Sequence, residues 1–298
     1  MTAKPILAVG SIALDTIETP SGQRREILGG SATFFAAAAS LFAPVRLVGV
    51  VGSDYPEEGW QLFRDLGVDV SNVQQADGST FRWGARYSPQ MTSRETLYTH
   101  LGVFEDFQPI LSEKNRQTEI VYLGNIQPSL QLAICADTPA ARHIISDTMN
   151  LWIDTHRAEL ELVLRKTDIF LINDEEARQL TGLDNLDACA HWLLDAGPSA
   201  VVIKQGHRGA LLATKGQRKH IPIYPHTRVV DPTGAGDSFA GGFISYIARD
   251  GESHLEDAVV RGAATASFTV EGFGLEGLLR ATSRGIEFRM AAIRELMD

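Results

Sequence analysis

Residues 231–237 read DPTGAGD, and the segment SFAGGF follows directly at 238–243. The pattern predicts a glycine-rich turn that opens a buried helix extending to about Ala248. Such a turn concentrates unpaired backbone N–H groups at the positive end of a helix dipole and so forms an anion site. Asp237 lies in the first turn, where a carboxylate beside a phosphate can accept the proton of an attacking hydroxyl. The alternative is a tight strand-to-helix turn in which Asp237 is an ordinary first-turn carboxylate.

The composition indicates a globular protein with an ample core. The chain has 298 residues, enough for one large α/β domain or two smaller ones, and 44% of them are hydrophobic. The formal net charge of −10 argues against a nucleic acid as partner. Cys135 and Cys189 are far apart and lack metal-ligand spacing, so two free thiols in a reducing compartment are expected. No apolar run approaches the length of a membrane span, so we expect a soluble, cytoplasmic protein without a membrane partner.

Short apolar runs recur along the chain, and segments that predict helices separate them. Each run has the length and composition of a buried parallel strand, and the alternation implies βαβ units with a mainly parallel sheet. The runs lie at residues 6–9, 45–51, 120–123, 143–145, 169–172 and 200–203.

The segments between the apolar runs are predicted to form helices and edge strands. Helices are predicted at residues 31–42 and 54–66, with Pro56 in the first turn of the second helix. Residues 206–214 and 219–223 are expected to form antiparallel edge strands before the glycine-rich turn.

Residues 81–87 and 95–101 differ from the buried runs because apolar and polar side chains alternate in them, the period of a half-exposed strand. Strands with one polar face do not fit into a parallel sheet that is covered on both faces. They therefore predict a small separate sheet, which serves as a flap or as a dimer surface.

The string at 231–237 resembles the second signature of the PfkB/ribokinase family of carbohydrate and nucleoside kinases. The resemblance spans nearly the whole chain. It predicts that residues 1–298 form a single domain. It implies an α/β fold, the ribokinase-like three-layer α/β/α sandwich with a mainly parallel central sheet and a small β-sheet lid. The lid is expected from about residues 12–28 and 79–102.

By the same resemblance, the catalytic base is Asp237. The backbone of Gly234, Ala235 and Gly236 is expected to stabilise the transferring phosphoryl group. Asp231 and Thr233 match positions that in some relatives help to bind a monovalent cation such as K⁺. Whether this chain keeps that cation site is left open.

The substrate side resembles the family's first signature only in part. Gly29 and Gly30 match a glycine pair that lies against the sugar, where backbone approaches a ligand closely because no Cβ intervenes. Phe34 stands where relatives often carry an asparagine; its ring either packs against a nucleobase or belongs to the core. Asp15 matches a carboxylate that accepts from sugar hydroxyls, and the alternative is an exposed loop aspartate.

The nucleotide side rests on two short motifs. Asn173 and Glu176 resemble an Asn-x-x-Glu motif that organises Mg²⁺ and its waters around the phosphates of ATP. The alternative is a helix N-cap followed by first-turn acids, which leaves Glu176 free to point elsewhere. Lys204 and Gly206 resemble a segment that contacts the nucleotide. Lys204 replaces the threonine or serine of many relatives, and it either pairs with a phosphate or reaches solvent.

Two further polar residues follow predicted strands. Asn125 and Asp147 are expected at the sheet edge that also carries Asp15, where they are candidates for contacts with substrate or with metal-bound water. The P-loop, dinucleotide-binding and zinc-hydrolase motifs are all missing from the sequence.

The implied function is a kinase that transfers the γ-phosphoryl group of Mg-ATP to a hydroxymethyl group. A sugar is the first candidate acceptor, in the manner of ribokinase or fructokinase, and an adenosine-type nucleoside is the alternative. A second alternative is a sensor that binds a sugar or nucleotide without turnover. A homodimer through the lid is also expected from the resemblance.

Overall fold

The computed structural model describes residues 3–91 and 93–297, in which strands and helices alternate. The strands are β1 (Ile6–Val9), β2 (Ala13–Thr19), β3 (Gly22–Gly29), β4 (Val45–Gly52), β5 (Asp69–Ala76), β6 (Phe81–Tyr87), β7 (Arg94–His100), β8 (Ile120–Leu123), β9 (His143–Ser146), β10 (Ile169–Asn173), β11 (Ala200–Lys204), β12 (Ala210–Thr214) and β13 (Arg218–Ile221). The helices are α1 (Ser31–Ala39), α2 (Glu57–Asp65), α3 (Glu113–Arg116), α4 (Pro128–Asp137), α5 (Asn150–Thr155), α6 (Arg157–Leu164), α7 (Asp174–Thr181), α8 (Leu186–Ala196), α9 (Ala235–Asp250), α10 (Leu255–Thr269) and α11 (Ser283–Arg294).

Nine strands form the large sheet in the order β13-β12-β11-β10-β9-β8-β1-β4-β5. Neighbours from β11 to β5 pair in parallel, whereas β11–β12 and β12–β13 are antiparallel. All six apolar runs are strands of this sheet, which confirms the predicted mainly parallel architecture.

The large sheet is covered on both faces because successive strand side chains point in opposite directions. In β1, Ile6 and Ala8 belong to one core, with residues of α1, α9, α10 and α11. Leu7 and Val9 point to the other face, where α4 supplies Leu130 and Ile134. Further along that face, β10 and β11 pack against α6, α7 and α8. The three-layer α/β/α sandwich is thus observed.

Helices α1 and α9 cross closely at the centre of the molecule. Every residue of α1 is buried, and a Cβ at Gly241 of α9 would lie 2.6 Å from the Cβ of Ala38. Only glycine permits this approach, and it brings the start of α9 to the carboxyl edge of the large sheet. Across residues 3–91 and 93–297, no helix combines the length and apolar character needed to cross a bilayer.

Four strands form a second sheet, which we call the small sheet, in the order β3-β2-β6-β7. Strands β2 and β6 pair in parallel, and the outer pairs are antiparallel. Its strands include the alternating segments around residues 81–87 and 95–101, so the prediction that they lie outside the large sheet is confirmed.

Several boundaries differ from the sequence prediction. Helix α2 begins at Glu57, after Pro56, because the proline takes an extended conformation as N-cap. Helix α1 ends at Ala39 rather than at residue 42. Gly206–Arg208 form a 3₁₀ turn, so the expected strand at 206–214 starts only at Ala210. Strand β5 was not predicted, because its sequence DVSNVQQA is polar, as suits an edge strand.

Candidate active site

The anion site is built by the loop that leads into α9. Gly234 is the N-cap and has a left-handed backbone, φ 72° and ψ 3°, which favours glycine. A Cβ at this position would also overlap the ring of Phe34. The first N–H groups of a helix have no intrahelical acceptor. The Ala235 N–H donates to Pro232 O at 3.3 Å, so of the three residues predicted for the anion hole, Gly234 and Gly236 keep N–H groups available to a ligand. Local conformation and packing therefore both require the glycine that shapes the predicted anion hole.

Asp237 is partly buried in the first turn of α9. The pKa of its carboxyl is raised to about 6, mainly by burial and also by the negative charge of Asp147, while Lys204 opposes the rise. A carboxylate of raised pKa is a stronger base than a free aspartate and is still largely ionised near neutral pH.

Lys204 lies at the anion site rather than in solvent. Its Nζ donates to Asp147 Oδ2 at 2.8 Å and lies 3.3 Å from the position that a Cβ on Gly236 would occupy. Burial alone lowers the pKa of Lys204, but the carboxylates of Asp147, Glu176 and Asp237 raise it overall. The lysine therefore stays charged beside the loop that would hold a phosphoryl group.

Asn173 and Glu176 form a reciprocal capping box at the start of α7. Asn173 Oδ1 accepts from the Glu176 N–H at 2.8 Å, and Glu176 Oε2 accepts from the Asn173 N–H at 3.0 Å. Glu176 is 5% exposed, and burial together with the charge of Asp147 raises its pKa to about 7. Capping thus occupies one oxygen of Glu176, contrary to the expectation that it leaves this side chain free, and Oε1 remains for another partner.

Asp15 is a buried residue of β2, not an exposed loop residue. Burial raises the pKa of its carboxyl to about 7; the Gly30 N–H lowers it, and the charges of Asp231 and Asp237 raise it. A Cβ at Gly29 would overlap the Asp15 carboxylate, so this glycine makes room for it. The structure therefore brings Asp15, Gly29 and Gly30 together within the electrostatic reach of Asp237.

Phe34 is 1% exposed and belongs to the main core, where its ring packs against Gly234. Of the two interpretations that the sequence left open, the core position is the one observed. Phe34 therefore shapes the anion site from behind rather than lining an open pocket.

Asp231 is fully buried, and both of its carboxylate oxygens accept backbone N–H groups. Oδ1 accepts from Thr233 at 2.9 Å, and Oδ2 accepts from Gly274 at 2.8 Å. Burial raises the pKa of Asp231 despite these bonds. Its visible contacts are thus structural, and they join two segments of backbone.

Asn125 and Gly206 lie further out than the other candidates. Asn125 Oδ1 accepts from Trp152 Nε1–H at 2.9 Å, which fixes its orientation. Gly206 is exposed in its 3₁₀ turn with φ 56°. Within the described part of the chain, neither residue hydrogen-bonds to the cluster around Asp147 and Asp237.

Sequence reasoning missed two tyrosines at the site. Tyr122 in β8 is 1% exposed and stacks on Phe35 at 4.3 Å. Burial raises the pKa of Tyr122 strongly, with further increases from Asp147 and Asp237. Its hydroxyl has no hydrogen-bond partner among the described residues. Tyr87 in β6 contacts Thr233, with 3.0 Å between the two hydroxyl oxygens. A phenol within an otherwise apolar buried strand was the available signal for Tyr122.

The charges at the site fit a divalent cation bound mainly through water and phosphate. Asp147, Glu176 and Asp237 lie near the ammonium of Lys204. Burial raises the pKa values of Glu176 and Asp237, and the negative charge of Asp147 adds to the rise, while Lys204 and Arg94 oppose it. A cation relieves such repulsion. Among residues 3–91 and 93–297, no three acidic, histidine or cysteine side chains are close enough to chelate a metal together.

The sheet order, the helices on both faces and the glycine-led helix with its first-turn carboxylate define an α/β kinase of ribokinase-like fold. Residues 4–280 match the family described as pfkB family carbohydrate kinase, and the chain belongs to that family. It is therefore a phosphotransferase with a hydroxyl group as acceptor.

Individual relatives cover nearly the whole chain. A cytidine kinase of Thermococcus kodakarensis is 28% identical over 275 residues, spanning 90% of this chain and 97% of that protein. A nucleoside kinase of Methanocaldococcus jannaschii is 25% identical over 298 residues, spanning 95% of each chain. A crystal structure from E. coli, described as a ribokinase II in complex with ATP and Mg²⁺, has a TM-score of 0.80 at 19% identity and covers 97% of this chain and 99% of that one.

Proposed function

We propose that this kinase phosphorylates a nucleoside, transferring the γ-phosphoryl group of ATP to the hydroxymethyl group of the ribose. The sequence placed a free sugar first and a nucleoside second. The order is reversed here because relatives named cytidine kinase and nucleoside kinase align over at least 90% of the chain.

The observation that carries the proposal is the pairing of Asp15 with Asp237 across one site. Asp15 is 3% exposed and Asp237 is partly buried. Burial is the main cause of the raised pKa of Asp15, and the charge of Asp237 contributes to it. A carboxylate accepts from two adjacent hydroxyls, so Asp15 suits the vicinal diol of a ribose. With the diol at Asp15, the hydroxymethyl group extends toward Asp237.

In this arrangement Asp237 accepts the proton of the attacking hydroxyl as the new P–O bond forms. The N–H groups of Gly234 and Gly236 and the ammonium of Lys204 stabilise the charge on the transferring phosphoryl oxygens, whereas the Ala235 N–H donates to Pro232 O at 3.3 Å. Asp147 holds Lys204 in place through its 2.8 Å ion pair. Attack by the hydroxyl breaks the bond between the γ-phosphorus and the bridging oxygen, which leaves with ADP.

Glu176 and Asn173 would hold Mg²⁺ through its waters, and this cation would neutralise charge on the ATP phosphates. The proposal of ATP and Mg²⁺ is supported by the complex of the E. coli relative. A K⁺ site at Asp231 and Thr233 stays a prediction, and titration of activity with K⁺ against a non-binding cation tests it.

We further propose that the small sheet is the lid over this site. Tyr87 and Asp15 both belong to it, so its position affects the acceptor and the catalytic loop together. A closed lid excludes water and so suppresses hydrolysis of ATP. A homodimer through the small sheet also stays a prediction, which light scattering coupled to size exclusion tests.

The test is ADP release with Mg-ATP against a panel of cytidine, other nucleosides, free ribose and hexoses. Asp237→Asn is compared with wild type, and the control is Asp187→Asn, which alters an exposed first-turn aspartate of α8. We expect turnover on a nucleoside, a loss of about 10²- to 10⁴-fold in Asp237→Asn and none in the control. Turnover on ribose alone would make the enzyme a sugar kinase. Nucleoside binding by calorimetry without any turnover would indicate a sensor.

A further inference from the structure

The small sheet contacts the rest of the molecule at several places, and two of these contacts reach segments close to the catalytic loop. At the end of β6, the Tyr87 hydroxyl lies 3.0 Å from Thr233 Oγ1. In β3, the Arg24 guanidinium lies 4.5 Å from the ring centroid of Phe273 and pairs with Glu276 at 3.4 Å. The side chain of Ile27 packs on Gly274, 2.6 Å from where a Cβ would be. Two of the contacted segments are therefore the loop before α9 and residues 273–276.

A single buried carboxylate joins these two segments. Asp231 accepts from the Thr233 N–H through one oxygen and from the Gly274 N–H through the other. A displacement of residues 273–276 by the small sheet is thus transmitted to the catalytic loop. Thr233 directly precedes Gly234, whose left-handed backbone aims the first N–H groups of α9.

The surroundings of Tyr87 indicate which hydroxyl donates in the hydrogen bond between Tyr87 and Thr233. Burial raises the pKa of the Tyr87 phenol, while Thr233 and the neighbouring Arg94 guanidinium lower it. The phenol therefore stays protonated and can donate to Thr233 Oγ1. An arginine has no acceptor, so Arg94 can only donate to the phenol oxygen, which favours this same direction.

We propose that Tyr87 is a positioning residue, which fixes Thr233 and hence the phosphoryl-binding N–H groups only when the small sheet is closed. This inference rests on the proposed function, because it assigns the closed state to phosphoryl transfer. Acceptor binding at Asp15 in the small sheet then organises the anion site, so ATP is activated only when an acceptor is present.

The variants that test this are Tyr87→Phe, Thr233→Val and the double variant, with Tyr98→Phe as control. Tyr98 lies on the neighbouring strand β7 and stacks on His100 at 4.9 Å, away from the catalytic loop. We expect kcat for transfer to fall about tenfold in either single variant, with KM for ATP little changed. In both single variants, the ratio of ATP molecules hydrolysed to phosphoryl groups transferred to the acceptor should rise. The double variant should be no worse than the singles, because both remove one bond.

Amide hydrogen exchange provides a measurement that does not depend on turnover. With Mg²⁺, a non-hydrolysable ATP analogue and a nucleoside bound, so that the small sheet is closed, exchange across residues 231–237 should be faster in Tyr87→Phe and Thr233→Val than in wild type or Tyr98→Phe. The proposal would be overturned if the two single variants exchanged amide hydrogens at residues 231–237 as slowly as wild type. It would also be overturned if the losses of kcat in the single variants added up in the double variant. If wild type transfers no phosphoryl group to any acceptor, the proposed function fails, and the exchange comparison still decides whether Tyr87 orders the loop.

Discussion

At the scale of single residues, the site combines one base with a cation that tunes it. Asp237 has a pKa raised to about 6 by burial and by Asp147, and the positive charge of Lys204 limits that rise. The lysine therefore has two effects: it keeps the base ionised, and it offers a positive charge to the phosphoryl group. Threonine at this position would supply neither.

The pH dependence of turnover follows from this balance. A base acts only when ionised, so we expect kcat to fall with decreasing pH through about 6. Lys204→Met should lower kcat and move this acid limb to higher pH, because removing the ammonium takes away the largest charge that opposes burial and the repulsion from Asp147. The measurement is a pH–rate profile of both enzymes from about pH 5 to pH 8, a range that brackets the shifted carboxyl. An acid limb at the same pH in both would contradict the assigned role of Lys204.

Gly234 allows a second comparison between residues. Gly234 and Gly182 share the same left-handed φ of 72°, but a Cβ overlaps Phe34 at the first and meets nothing within 4 Å at the second. Gly182→Ala should lower the free energy of unfolding by about 1–2 kcal/mol through backbone strain alone. Gly234→Ala should cost more and also reduce kcat. Equal losses of stability in chemical denaturation, with activity retained by both, would contradict the packing role.

At the scale of elements, the N-termini of two helices provide functional groups of the site. The start of α9 supplies N–H groups, and the start of α7 holds Glu176 through its capping box. The capping interpretation and the metal interpretation of Asn173 and Glu176 are compatible, because the cap uses one carboxylate oxygen and orients the other.

Two asparagine caps separate stability from function. Asn173 caps α7, and Asn185 caps α8 by accepting from the Ala188 N–H at 3.0 Å. Each change to alanine should lower the free energy of unfolding by about 1 kcal/mol. Only Asn173→Ala should also raise the Mg²⁺ concentration needed for half-maximal activity, since it alone removes a side chain proposed to hold Mg²⁺-bound water. The bond from the backbone N–H of residue 173 to Glu176 Oε2 remains in this variant. A normal Mg²⁺ titration for Asn173→Ala would leave that residue with a capping role only.

At the scale of the whole molecule, acidic groups are concentrated at one edge of the sheet at some cost to stability. Folding raises the pKa values of Asp15 and Glu176 to about 7 and of Asp237 to about 6, mainly by burial. The folded state thus binds more protons than the unfolded chain between about pH 4 and pH 7. The stabilising protonated forms are lost as the pH rises through these folded values.

We therefore expect the ligand-free protein to be less stable at about pH 8 than at about pH 5, the two sides of the shifted pKa values. Asp15→Asn should reduce this difference, whereas the exposed Asp187→Asn should not. Thermal unfolding across that range measures it. A melting temperature that rises steadily with pH would show that these carboxyls are ionised at no cost in the folded state.

Much of the architecture follows from the sequence, because local patterns determine it. Buried parallel strands must be continuously apolar, so the six runs are visible along the chain. A helix that begins at a glycine-rich loop is equally local, and the loop 231–237 lies where it was predicted. The polar edge strand β5 was missed because edge strands lack that pattern.

Only the tertiary structure decided which distant segments of the chain contact each other at the site. Lys204 and Asp147 are 57 positions apart, and Tyr87 and Thr233 are 146 apart, so no local pattern joins them. Whether Phe34 belongs to the core, and which backbone N–H groups Asp231 joins, depends on which groups fold against these residues. Local sequence patterns determined the fold class and which kinds of functional group the site contains. Long-range packing decided burial, ion pairing and therefore the pKa values with which those groups act.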